Sequence, residues 1–208
     1  LADGDERRRL LHRAADQLLR CGQIDAGHAT LVPLLDAAGV PLPRSRGAAV
    51  ATLLGHRLAL QMRGGFAVGL RRAERRLPPA GVTLPEATQH RLELCWTTLV
   101  DFFSVDQLLG IVYYCRYTPL AFASGQPLHL SRAAATEAIY ITANHGSAAA
   151  AQARLDDAQR LAERATEAAP FVIFARAMVE FLRGNWRALR VDCERFMAAT
   201  DARRHHYI

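Results

Sequence analysis

The sequence predicts an all-α protein: antiparallel helical hairpins stacked as a solenoid resembling tetratricopeptide repeats, or else an irregular helical bundle. Three observations predict it. Half of the 208 residues are hydrophobic, and Ala and Leu dominate that half. Both are strong helix formers, and Ala lets helices approach closely. Apolar residues recur at spacings of three and four throughout, and no stretch alternates as a strand would. Glycines close most of the periodic runs, so short turns should join antiparallel neighbours.

The elements follow in order. Arg9 to Cys21 carries Leu10, Leu11, Ala14, Ala15, Leu18 and Leu19 on one face and stops at Gly22. Ile24 to Ala38 presents Leu31, Leu34, Leu35 and Ala38 and stops at Gly39, with Pro33 marking a kink or a late start. Val40 to Ser45, containing Pro41 and Pro43, is an extended connector. Gly47 to Arg63 resumes the helical period through Val50, Leu53, Leu54, Leu58 and Met62, and Phe66 to Leu77 follows the Gly64-Gly65 break. Pro78, Pro79 and Gly81 form a second connector, and Pro85 opens a helix to about Phe102. Ser104 with Gln107 reads as a capping box for a helix to about Ser124, bent at Pro119. Gly125-Gln126-Pro127 is a turn, after which come Leu130 to Asn144, Ala148 to Ala168, Phe171 to Arg183 and Trp186 to Ala199. The expected total is nine or ten helices in one helical-repeat region over 1–208, with a point of sub-division near 78–85. Because the first residue is Leu1, the chain reads as a fragment of a longer protein.

One pattern occurs four times, anchored on Gly22, Gly64, Gly125 and Gly184. Two positions beyond each glycine stand the apolar residues Ile24, Phe66, Pro127 and Trp186; five beyond, Gly27, Gly69, Leu130 and Leu189; nine beyond, Leu31, Ala73, Ala134 and Cys193. The glycine ends the first helix in a backbone conformation that other residues resist. The apolar residue plugs the turn, and the next two positions face the first helix across the hairpin. The gaps of 42, 61 and 59 residues exceed the roughly 34 of a tetratricopeptide repeat, so further helices must be interleaved.

Composition bounds function. The net charge of +6 and a pI near 9.7 invite a nucleic-acid reading, yet all 26 basic residues are Arg, which points to base-composition bias. The strongest basic cluster is Arg71, Arg72, Arg75 and Arg76 around Glu74, whose i, i+4 pairs put the charges on one broad helix face, a candidate partner-binding face. No aromatic residues interleave there to stack bases. The cysteines Cys21, Cys95, Cys115 and Cys193 form no C-x-x-C pair and read as buried free thiols. The most apolar stretch, Cys95 to Ser124, is interrupted by Asp101, Asp106 and Arg116, so a buried helix is expected and not a membrane span. Its aromatics, Trp96, Phe102, Phe103, Tyr113, Tyr114, Tyr117 and Phe122, predict a large core or the lining of a groove. Asp106 is expected to support a helix N-terminus and Asp101 to cap a helix or pair with an Arg.

Catalytic and metal patterns were not found. With no Lys there is no phosphate-binding loop of the Walker type, and no kinase, zinc-protease or serine-hydrolase signature occurs. The eight histidines include no i, i+4 pair, and His205-His206 diverge on a helix. The expectation is therefore a segment without catalytic, cofactor-binding or metal residues.

The string Ala14-Ala15-Asp16-Gln17-Leu18-Leu19-Arg20-Cys21-Gly22-Gln23-Ile24-Asp25-Ala26-Gly27 carries a resemblance. So do Gly39-Val40-Pro41-Leu42-Pro43, Cys95-Trp96, Ser104-Val105-Asp106, Ser124-Gly125-Gln126-Pro127 and Arg183-Gly184-Asn185-Trp186. In order and spacing they resemble the helical tail of large bacterial serine/threonine protein kinases fused to an ATPase of the AAA or STAND type, with Gln126 standing where that family has Glu. The resemblance spans about residues 9 to 200. It implies a cytoplasmic signalling parent whose ATP is bound elsewhere, with this part as an interaction and regulatory arm for a protein or peptide partner. A spacer without a ligand and an Arg-rich nucleic-acid arm are the alternatives.

Overall fold

The computed structural model describes residues 2–79 and 83–204, the side chains of 2–5, 20, 104 and 199–204 excepted. Among the described residues it is entirely helical, with ten α-helices: α1 Ala2–Arg20, α2 Ile24–Ala37, α3 Arg46–Met62, α4 Gly65–Glu74, α5 Glu86–Val105, α6 Gln107–Ser124, α7 Pro127–Ala143, α8 Ala148–Ala162, α9 Ala169–Leu182 and α10 Trp186–Arg204. The chain forms two compact units, one of Leu1–Gly69 and Ala80–Leu120, the other of Leu70–Pro79 and Ala121–Ile208.

The repeat glycines do what their type allows. Gly22, Gly64, Gly125 and Gly184 all have positive φ, between 63° and 96°, where a side chain would clash with the neighbouring carbonyl. At Gly22 the amide of Gln23 reaches back to Leu18 O (2.9 Å) and that of Gly22 to Leu19 O (3.0 Å), a Schellman closure that satisfies the carbonyls left open at the end of α1. Gly184 closes α9 in the same way. The α7–α8 hairpin uses this closure too, with His145 at φ 55° in the glycine's place. The glycine beside it has a different task. A Cβ on Gly146 would stand 2.8 Å from Ile141 O.

In the first unit α1 packs along α2 and also touches α5. Gly27 permits the α1–α2 approach, since a Cβ there would lie 2.6 Å from Leu19 Cγ. The buried side chains Ala15, Leu19, Leu31, Leu34 and Leu35 join Leu92, Cys95, Trp96, Phe102, Tyr113, Tyr114 and Tyr117 of α5 and α6 in this unit's core. Trp96 and Tyr117 pack ring on ring at 5.4 Å, and His28 meets the Phe102 ring edge-on at 5.6 Å. The aromatics named from sequence are thus largely core.

In the second unit α7 is the central element: it packs on α8 and on α9, and α9 packs in turn on α10. Its run from Leu130 to Ile139 is almost wholly buried, rich in Ala and crossed by Ser131, whose hydroxyl donates to Ala158 O of α8 (2.7 Å). Small side chains let the backbones approach, and the hydroxyl finds its acceptor because they do. Successive hairpins stack in chain order here, as in a helical repeat.

Several boundaries differ from expectation. Ser104 does not begin a helix, because α5 continues to Val105. The cap of α6 is Asp106, whose Oδ1 accepts from the amides of Leu108 (3.0 Å) and Leu109 (3.2 Å); the side chain of Ser104 lies outside the described residues. The run Ala148 to Ala168 is two pieces, α8 and a 3-10 turn over Thr166–Ala168 that leads into α9. Pro170 sits in the first turn of α9, where its missing N–H costs nothing. Cys21 and Cys193 are exposed, so only Cys95 and Cys115 are the buried thiols expected of all four. The plug position fails in the fourth repeat copy: Trp186 is 62% exposed, while Phe66 at the matching position is buried. His205 and His206 lie outside the described residues.

Candidate functional site

Three surface features stand out once the cores are accounted for. The first is α3. Ser45 caps its N-terminus by accepting from Ala48 N (3.2 Å). Of its side chains only Ala49 is buried. The apolar positions read from sequence as a core stripe are exposed instead: Val50 by 44%, Leu54 by 60%, Leu58 by 62% and Met62 by 80%. Period alone identifies an apolar face but not what covers it. The second feature is on α9 and α10, where Phe181, Leu182, Trp186, Val191 and Met197 are exposed and the Phe181 and Trp186 rings meet edge to face at 5.7 Å.

The third is a cavity of about 750 Å³ in the first unit, bounded by α1, the end of α2 and the start of α5. Arg8, Arg9, His12, Arg13, His90 and Arg91 line it, against Glu86 and Glu93. Arg9 pairs with Glu86. Arg91 donates from Nη2 to Gly39 O (2.9 Å), which ties α5 to the end of α2. His12 Nε2 and Thr97 Oγ1 are 2.5 Å apart. The Thr97 hydroxyl also lies within hydrogen-bond reach of Glu93 O (3.1 Å) and Leu94 O (3.3 Å). Burial pushes the His12 imidazole below its ordinary range, neighbouring His90 adds to this, and Asp16 opposes it.

Behind the cavity the Val40 to Ser45 connector is anchored by groups that composition did not reveal. The Tyr113 hydroxyl donates to Val40 O (2.9 Å), and Arg116 donates to Val40 O (3.1 Å) and to Pro41 O. Arg116 also lies over the Tyr113 ring, 5.1 Å from its centre. Burial raises the Tyr113 phenol, so it stays a donor. Cys95 in the same core has its thiol pushed up to about 12 by burial, which makes it inert.

The arginine cluster lies at the end of α4. Arg71, Arg72, Arg75 and Arg76 are all exposed, but α4 ends at Glu74. Arg75 N still bonds Arg71 O (3.2 Å) with helical spacing, while Arg76 N bonds Ala73 O (2.9 Å) in a tighter turn, so only the last arginine leaves the helical register. Glu74 turns from the cluster to pair with Arg160 of α8 (2.8 Å). Of the repeat positions, Gly27 and Leu130 are buried and Gly69 is half-buried. Gly22, Gly27, Gly64 and Gly69 belong to the first unit, and the arginines, Gly125, Gly184 and Trp186 to the second.

Among the described residues no group of three His, Cys, Asp or Glu side chains could hold a metal ion, and no helix is long and apolar enough to cross a membrane. No family model, curated protein or solved structure matches the chain.

Proposed function

We propose that this chain is a non-catalytic helical-repeat module that binds protein or peptide partners and regulates domains attached to it. The observation that carries the reading is α3, a helix of 17 residues whose apolar row faces outward. Apolar side chains in a contiguous exposed row mark interaction surfaces more often than they mark solvent-facing helices. The resemblance of residues 14–27 supports a bacterial signalling kinase–ATPase as the parent. The arm would then hold a partner and pass its presence on to the attached ATPase and kinase. Deleting this segment from the parent should change ATPase turnover or kinase output. Unchanged output, together with no protein retained by the full chain, rejects the reading in favour of a spacer. An arginine arm for nucleic acid is less well supported, because no aromatic side chains interleave the arginines to stack bases.

The Arg- and His-lined cavity favours a second reading, a sensor arm for a small anionic effector. Its volume is in the range of small-ligand sites, and its arginines outnumber its carboxylates. Titration with inorganic pyrophosphate, followed by calorimetry, should show salt-dependent binding that Arg13→Ala weakens; no heat at low salt rejects it.

A further inference from the structure

We infer that the Arg- and His-lined cavity of the first unit takes an aliphatic phosphate monoester as a free, soluble ligand; the inference rests on the anion-site reading and names the ligand's class. The ligand's charge follows from what the cations already touch. Arg9 is paired with Glu86, and Arg91 donates to a neutral acceptor, Gly39 O. Arg13 is exposed, and neither Arg13 nor Arg91 forms an ion pair among the described residues. Two guanidinium charges, one from α1 and one from α5, therefore line the same cavity without a carboxylate to answer them. A phosphate monoester brings close to two negative charges and three terminal oxygens, enough to accept from two guanidinium forks at once. A lone carboxylate brings one charge and would leave one guanidinium unanswered.

Size and lining select the body. The cavity of about 750 Å³ is several times the bulk of inorganic phosphate or pyrophosphate and lies in the range that organic ligands fill. The lining contributed by α2 and α6 is wholly aliphatic, Leu34, Ala37, Ala38 and Leu120, and α5 adds Ala87. No Phe, Tyr or Trp lines the cavity, so a nucleobase has no broad ring to stack on. The His12 and His90 rings lie edge to face with each other, 6.0 Å between centres. An alkyl chain laid against the aliphatic side chains leaves water together with them, while its phosphate meets Arg13 and Arg91.

The test is calorimetric titration of the full chain with ethyl, butyl and hexyl phosphate, inorganic pyrophosphate, adipate and hexanol. Affinity should rise about three- to fourfold for each methylene added to the alkyl phosphate. Hexyl phosphate should bind at least about tenfold tighter than pyrophosphate or adipate, and hexanol should show no measurable binding. Arg13→Gln should weaken every anion by about tenfold. Ala37 is exposed at the end of α2, so Ala37→Gln should keep the melting temperature and the pyrophosphate affinity while weakening hexyl phosphate by about fivefold or more. Affinity flat with chain length, tighter binding of adipate, or hexyl phosphate binding that ignores Ala37→Gln would overturn the inference; if pyrophosphate still binds in those cases, the anion-site reading stands. No binding of any anion removes both. In sedimentation with phosphatidylcholine vesicles carrying phosphatidic acid the chain should stay in the supernatant, and co-sedimentation would assign the phosphate to a membrane and overturn the soluble ligand.

Discussion

A single methyl group at Gly27 should destabilise the first unit, whereas the same change at Gly55 should stabilise it. The Cβ of Gly27→Ala would stand 2.6 Å from Leu19 Cγ, 2.8 Å from Leu19 Cδ2 and 3.1 Å from Leu19 N. Leu19 is buried and cannot swing into solvent, and its backbone nitrogen is held in α1. Either α1 and α2 separate or Leu19 leaves its rotamer, at a cost of about 1–3 kcal/mol. Alanine returns about 1 kcal/mol of helix propensity, so a net loss of up to about 2 kcal/mol is expected. At Gly55 no atom lies within 4 Å of the new Cβ, and only the propensity gain of about 1 kcal/mol remains. For a chain of this size 1 kcal/mol moves the melting temperature by about 2–4 °C. Thermal melts by circular dichroism, with urea titrations beside them, should shift down for Gly27→Ala and up for Gly55→Ala. If both variants rise, α1 and α2 do not approach as closely as described and the role of the position five beyond the repeat glycine is lost.

Further outcomes follow from single sites. His145→Gly should raise stability by about 1 kcal/mol, read as a higher urea midpoint, because the residue already holds the left-handed conformation that glycine adopts without strain. Titration with a coloured thiol reagent on the native protein should show Cys21 and Cys193 reacting fast and Cys95 and Cys115 only on unfolding; four fast thiols would contradict the buried pair. His129 is buried, its imidazole lowered from 6.5 to about 4 by burial and by Arg132. The folded chain therefore resists a proton that the unfolded chain accepts below pH about 6.5, so stability falls from there to about pH 4, by on the order of 3 kcal/mol. His12 and His56 are lowered too and act in the same direction. His129→Gln should flatten the slope of urea midpoint against pH, and an unchanged slope would refute the assignment.

Much of the fold was legible because helices announce themselves locally. Glycines at 22, 64, 125 and 184 mark chain reversals from sequence alone, since a left-handed backbone is cheap only for a residue without a Cβ. The four-residue spacing of Val50, Leu54, Leu58 and Met62 likewise identified a helix. It did not say that the stripe would be left in water, because periodicity records which residues share a face and not what lies opposite. The α7–α8 reversal hid for a related reason: its left-handed residue is His145, and the glycine next to it serves a close contact with Ile141.

The sequence by itself determined the all-helical class, the turns and the absence of familiar catalytic patterns, because each depends on residues near one another in the chain. Tertiary packing alone decided which apolar faces were covered, that Tyr113 and Arg116 anchor a carbonyl more than 70 positions away at Val40, and that arginines and histidines from α1 and α5 meet around one cavity. Burial and polar pairing between distant segments depend on how helices dock, and docking is settled by the fit of whole surfaces.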